Sequence, residues 1–190
     1  MIKDEKQDRR VAVYVDGSNF YHKLKDLGIK NCAYYKYGAL ANHLARGRDV
    51  IGKRYYIGVI RAKAGDARAK KLQENQVNLF NHLGSKQERF SVQRGFLMKN
   101  DGVFHEKGVD VKMAVDILVG AYEDLYDTAI LLSSDTDLIP AIEKARLLGK
   151  RVEYIGFSHK PSYGLMKNAD ETILLTKEDI KTFEAPLPPV

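Results

Sequence analysis

The chain has one cysteine, Cys32, in 190 residues. That excludes a disulfide framework and a cysteine-rich zinc module. With no recognisable partner, Cys32 reads as a small structural residue rather than a nucleophile. Long apolar runs are missing too: no stretch approaches the roughly 18 apolar residues that a membrane helix needs, so no membrane partner is expected. The opening MIKDEKQDRR mixes both signs of charge without an apolar segment, which is not the pattern of a secretory signal. A reduced, cytoplasmic setting is the default expectation. Neither G-x-x-x-x-G-K-[ST] nor G-x-G-x-x-G occurs, which disfavours nucleotide-binding enzymes. His22, His43, His82, His105 and His159 are scattered without metal-ligand spacing, and none is assigned to catalysis.

What remains is the composition of a globular chain, 44% hydrophobic and 29% charged, long enough for one well-formed core. Lys and Arg number 31 against 25 Asp and Glu, a net charge of +6 that permits an anionic partner without proving one. Residues 1–10 read as a flexible, solvated arm, 11–183 as a single domain, and 184–190 as a Pro-rich tail.

Val11 to Val15 is a β-branched run that stops at Asp16-Gly17-Ser18-Asn19, the pattern of a strand covered on both faces. Further strands are expected at Arg54 to Ile60, Phe90 to Phe96, Thr128 to Leu132, Arg151 to Phe157 and Thr172 to Leu175. Helices are expected at Phe20 to Leu27, Tyr37 to Arg46, Asp66 to Leu83, Val109 to Tyr122, Leu138 to Leu148, Ser162 to Asn168 and Lys177 to Phe183. In the third of these, Leu72, Val77 (or Gln76), Leu79, Phe80 and Leu83 form the expected buried side. Asn100-Asp101-Gly102 is a turn signal, a candidate hairpin and flap. Strands alternating with helices predict a three-layer α/β domain with a mostly parallel central sheet flanked by helices.

Ligands of such sheets bind beyond the carboxyl ends of the strands, where strand order reverses. Asp16 ends the first strand, Asp135 and Asp137 follow TAILL, and Asp110 opens a helix just before that strand. Each alone could cap a helix or end a turn. Together, at two strand ends and one helix start, they point to a common acidic site. Two like charges about 4 Å apart repel by about 1 kcal/mol in water and about 4 kcal/mol at an effective dielectric near 20. Such a cluster needs a cation or protonation. Oxygen donors without cysteine or clustered histidine favour Mg²⁺ or Mn²⁺ over zinc. An ion of that kind lowers the pKa of a bound water and holds a phosphate oxygen, as phosphodiester hydrolysis requires. Asp116 lies six residues beyond Asp110, about 120° around the helix, and can pair with Lys112 four residues before it. It is placed behind the site as a supporting residue.

Asp16-Gly17-Ser18-Asn19, then Lys107-Gly108-Val109-Asp110 with Asp116 beyond, then Ser133-Ser134-Asp135-Thr136-Asp137 resemble the three signatures of NYN domains, members of the PIN-like nuclease group. The segment from Ser162 to Asp170, followed by ETILLT, is similar to the LabA-like branch. The resemblance covers about Val11 to Leu175 and implies a Rossmann-like PIN fold, a divalent metal site and ribonuclease activity. Carried over by motif, Asp16, Asp110, Asp135 and Asp137 would form the metal cluster, and Asn19 would orient water, metal or substrate. Ser133 and Ser134 would shape the loop, with Ser18, Thr136 and Lys107 in support. Lys107, beside Asp110, would contact the scissile phosphate or neutralise the acids. Ser134 stands where the family usually has glycine, and Leu138 where an aromatic often follows the last acid. Neither departure removes an acid.

The densest basic stretch holds Arg61, Lys63, Arg68, Lys70 and Lys71, after a strand end, where they could grip a nucleic-acid backbone. A solvated helix face is the plainer reading of the same residues. Phe20 and Tyr21 directly follow Asn19 and are candidates for stacking unpaired bases. The expectation is a metal-dependent endoribonuclease acting on single-stranded or loop RNA, with a homodimer compatible with it. A non-catalytic RNA-binding module on the same fold is the alternative. A haloacid-dehalogenase-type phosphohydrolase ranks lower, because Ser18 stands where its second aspartate belongs.

Overall fold

A computed structural model describes residues 9–62, 65–100 and 103–186, with 97–100 and 103–106 as backbone alone. The chain alternates β1 (Arg10–Asp16), α1 (Gly17–Asp26), α2 (Tyr37–Ala45), β2 (Asp49–Val59), α3 (Ala67–Leu83), β3 (Ser91–Asn100), β4 (Val103–Lys107), α4 (Val109–Tyr122), β5 (Thr128–Leu132), α5 (Ile139–Leu147), β6 (Arg151–Phe157), α6 (Tyr163–Asn168), β7 (Glu171–Leu175) and α7 (Lys177–Lys181). One sheet runs β4-β3-β2-β1-β5-β6-β7. Every neighbouring pair is parallel except β3 and β4. Residues of β1 face both ways, so the sheet is buried on two sides. Val11, Val13 and Val15 pack with α1, α2, α3 and α7, while Ala12 and Tyr14 pack with α4, α5 and α6. This is the mostly parallel three-layer architecture that the alternation predicts. The order reverses between β1 and β5, because β2 to β4 lie on one side of β1 and β5 to β7 on the other. That crevice is where open α/β sheets bind ligands.

Two local expectations need correction. The second strand starts at Asp49, not Arg54. Its first residues pair with β1 from Arg10 onward across a register irregularity at Val11/Ala12. They are half-buried or exposed, so they carry no apolar run to read. On α3, Leu72 and Val77 are exposed, and the buried residues are Ala69, Gln76, Leu79 and Leu83. Gln76 is buried because its amide braces a strand end: Nε2 donates to the Gly58 carbonyl at 2.8 Å, and Oε1 accepts the Ile60 N–H at 2.9 Å. The expected hairpin agrees with the structure: β3 and β4 pair antiparallel with Asn100 opposite Val103. Asp101 and Gly102, the core of the expected flap, lie outside the described residues. So do most of the N-terminal arm and the end of the Pro-rich tail. No helix among the described residues is long and apolar enough to cross a membrane.

Candidate active site at the β1 and β5 strand ends

Val15 lies opposite Leu132 in the parallel β1–β5 pair, so Asp16 and Ser133 leave the sheet side by side. The turn into α1 is abrupt, and Gly17 permits it. A Cβ there would stand 2.3 Å from Tyr55 Cε1 and 2.6 Å from the Tyr56 carbonyl oxygen. With no side chain, the first turn of α1 settles directly on β2.

Asp16 is 7% exposed, and both of its carboxylate oxygens accept hydrogen bonds. Its Oδ1 takes the Asn19 N–H at 3.0 Å, and its Oδ2 takes the Ser133 hydroxyl at 2.9 Å. Asp16 is thus the N-cap of α1 as well as a candidate functional acid, so the two readings of this residue coexist. Ser133 is 2% exposed. Its oxygen also accepts the Asp135 N–H at 3.1 Å. The Asp135 carboxylate caps the following turn by accepting the Asp137 N–H at 2.9 Å. The Ser134 hydroxyl donates to Asn19 Oδ1 at 3.2 Å. One continuous polar chain therefore joins Asn19, Asp16, Ser133, Asp135 and the Asp137 backbone. Thr136 borders it from the same turn, its methyl group close against Gly164 of α6. Ser18 is half-buried in the first turn of α1, and the Asp137 side chain is exposed.

Asp110 stands exposed in the first turn of α4. Gly108 caps that helix at φ +78°, a left-handed conformation that suits glycine. Lys107 is exposed immediately before it. Asp116 is half-buried and accepts the Tyr56 hydroxyl at 2.8 Å. Tyr56 is fully buried and lies opposite Asp16 in the β1–β2 register. Burial first, and then the hydrogen bond to Asp116, push the Tyr56 phenol far above its ordinary range, so it is a fixed donor at neutral pH. Tyr56 was not singled out by the sequence reading, and no spacing in the chain points to it.

The donors gathered at this edge are oxygens, the right kind for Mg²⁺ or Mn²⁺. Among the described residues, however, no three or more His, Cys, Asp or Glu side chains stand close enough together to hold an ion between them. Asp16 and Asp135 are linked through Ser133, while Asp110 and Asp137 face solvent.

The remaining candidates divide. Phe20 is 1% exposed and packs against Tyr35, Tyr37 and Phe157. It is a core residue and cannot stack a base without leaving the core. Tyr21 is 40% exposed, with Lys25 Nζ 5.6 Å from its ring centre. Arg61, Arg68, Lys70 and Lys71 are exposed, and Lys63 lies outside the described residues. Arg61 follows β2, the neighbour of β1, so this basic segment starts from the same edge of the sheet as Asp16.

Residues 10–176 match the NYN domain. A 70-residue stretch is 39% identical to an uncharacterized protein, MJ0482, of Methanocaldococcus jannaschii, covering 37% of this chain and 29% of that protein. The match therefore spans less than a third of the relative's length. A crystal structure of a protein of unknown function, VPA0982, from Vibrio parahaemolyticus superposes with a TM-score of 0.61 at 19% identity, over 92% of this chain and 96% of that one. At that identity the likeness shows the fold alone.

Proposed function

Because the chain belongs to the NYN domain family, within the PIN-like nuclease superfamily, we propose that it is a metal-dependent endoribonuclease acting on single-stranded or loop RNA in a cytoplasmic setting. We place it in the LabA-like branch, on the segment from Ser162 to Asp170 and the ETILLT that follows. The observation that carries the activity is the hydrogen-bonded chain from Asp16 through Ser133 to Asp135 at the point where strand order reverses. A buried carboxylate there gains nothing for a site that only binds phosphate.

Asp16 and Asp135, with Asp110 and Asp137, are the residues that would hold Mg²⁺ or Mn²⁺. A bound ion would supply a water of lowered pKa and would take up charge on the phosphate oxygens. Ser133 holds Asp16 in one orientation, and Ser134 holds the Asn19 amide that faces the same edge. The RNA backbone runs past Lys107 and the start of α3. That helix opens with Arg68, Lys70 and Lys71 and has no acidic residue in its first turn. Cations at a helix N-terminus oppose its dipole. Lys71 pairs with Glu74 at 3.8 Å, and phosphate contact is the role this reading gives Arg68 and Lys70.

The second reading is an RNA-binding module without turnover. It draws on the lack of a three-acid group among the described residues. Labelled RNA incubated with Mg²⁺ or Mn²⁺, with and without chelator, separates the two. Cleavage that disappears with chelator and in Asp16→Asn and Asp135→Asn is the expected result. Equal cleavage by wild type and both variants removes the nuclease reading. Salt-sensitive binding without cleavage leaves the module.

A further inference from the structure

Helix α4 is apolar on both sides. Val109, Met113, Ile117 and Ala121 face the sheet and are buried. At about 100° per residue, Val111, Val115, Leu118, Val119 and Tyr122 fall within one arc of roughly 100° on the opposite side. Val111 is 68% exposed, Val115 49%, Val119 42% and Tyr122 61%. No charged residue falls within that arc. An apolar stripe of this width is what a covered helix face presents, yet among the described residues Val111, Val115, Val119 and Tyr122 stay exposed. The surface continues onto α5, where Lys144 Nζ sits 5.7 Å from the Tyr122 ring centre and Leu147 is 81% exposed.

We propose that this face binds a second copy of the same chain, with the two α4 helices antiparallel about a two-fold axis near Val115 and Val119. Three arguments favour a second copy. First is extent. Val111, Val115, Val119 and Tyr122 on α4 and Leu147 on α5 are each at least 42% exposed along one surface, an apolar centre that a polar margin can complete to the roughly 800 Å² per partner of a standard interface. Second, the row is self-complementary. Turning α4 end for end about its middle sets Val111 against Tyr122, and Val115 against Val119, of the second copy, as an isologous contact demands. Third is charge. Lys112 and Glu123 lie on the same flank of the row at opposite ends of the helix. An antiparallel pair brings Lys112 of each copy toward Glu123 of the other, twice per dimer.

This inference does not depend on catalysis, and its test reads assembly alone. Sedimentation equilibrium at about 50 µM protein is expected to give a dimer for wild type. Val115→Glu is expected to weaken association by at least tenfold, with an unchanged circular dichroism spectrum. Lys112→Glu, whose position is too polar to endanger folding, is expected to weaken it as well. The double variant Lys112→Glu with Glu123→Lys is expected to restore it. A monomeric wild type overturns the proposal and returns this face to a different partner. A dimer indifferent to all three variants also overturns it.

Discussion

Replacing Ser133 by alanine removes one oxygen that two groups share. In the folded protein this hydroxyl donates to Asp16 Oδ2 at 2.9 Å and accepts the Asp135 N–H at 3.1 Å. It is 2% exposed, so water does not readily take its place. Leaving a buried polar group without its partner costs roughly 1–3 kcal/mol, and more when the group is charged. Asp16 keeps the bond from the Asn19 N–H, which tempers its share. Ser133→Ala is therefore expected to lose about 2–3 kcal/mol of unfolding free energy in urea. The neighbouring Ser134→Ala is the control. Its hydroxyl bonds Asn19 Oδ1 at 3.2 Å in a half-buried position where water can substitute, so it should lose under about 1 kcal/mol. In the cleavage assay, loosening the partner of a ligating carboxylate typically costs about 10–100-fold. Ser133→Ala should show that loss even at a temperature where it is fully folded. Stability within about 0.5 kcal/mol of wild type together with undiminished cleavage would refute the view that this hydroxyl fixes Asp16.

Two further outcomes follow from the ion pairs and from the site. Hydrogen bonding from Arg151 first, and also from Arg46, holds the Glu171 carboxyl below its ordinary range. A depressed folded-state pKa stabilises above the unfolded value and fades as pH falls through the folded one. Glu171→Gln should thus lower the thermal midpoint at pH 7, and its difference from wild type should vanish in acid. A difference independent of pH would contradict the assignment. Chelator should abolish cleavage yet lower the thermal midpoint by no more than the few degrees that ion binding supplies by mass action, because the described side chains at the site have partners without an ion. A large drop in the midpoint would instead make the ion structural.

The frame of the molecule was legible because its strands are short apolar runs with abrupt polar ends. TAILL stops where its strand stops, and VAVYV one residue before, with Asp16 as the last residue of β1. Two such ends, carrying Asp16 and the Ser133–Asp137 loop, are neighbours because the order reverses between them. The misreadings concern faces. Phe20 follows Asn19 in the chain, which suggested the site. Phe20 and Leu24, one turn apart, are both buried in α1, and that spacing was the better guide. On α3 the hydrophobic count favoured Leu72 and Val77, but the strand end needed an amide, so Gln76 turned inward. The Tyr56–Asp116 contact joins β2 to α4 across the sheet, and only the three-dimensional packing reveals it. The outer face of α4 was hidden for a related reason. Two apolar faces on one helix read alike until its neighbours are known.

The electrostatics of the site differ from what four converging aspartates would require. Like-charge repulsion falls with separation, and among the described residues the acids do not gather in threes. The buried carboxylate at the site, Asp16, is already stabilised by an amide and a hydroxyl and sits at the positive end of α1. The fold therefore needs no ion to stand, and an ion that arrives finds Asp16 already oriented by Ser133. Under the proposed function, preorganisation of this kind would leave a bound cation to serve the chemistry alone. It also makes Ser133, which is not an acid, the residue on which the arrangement of the two linked acids depends.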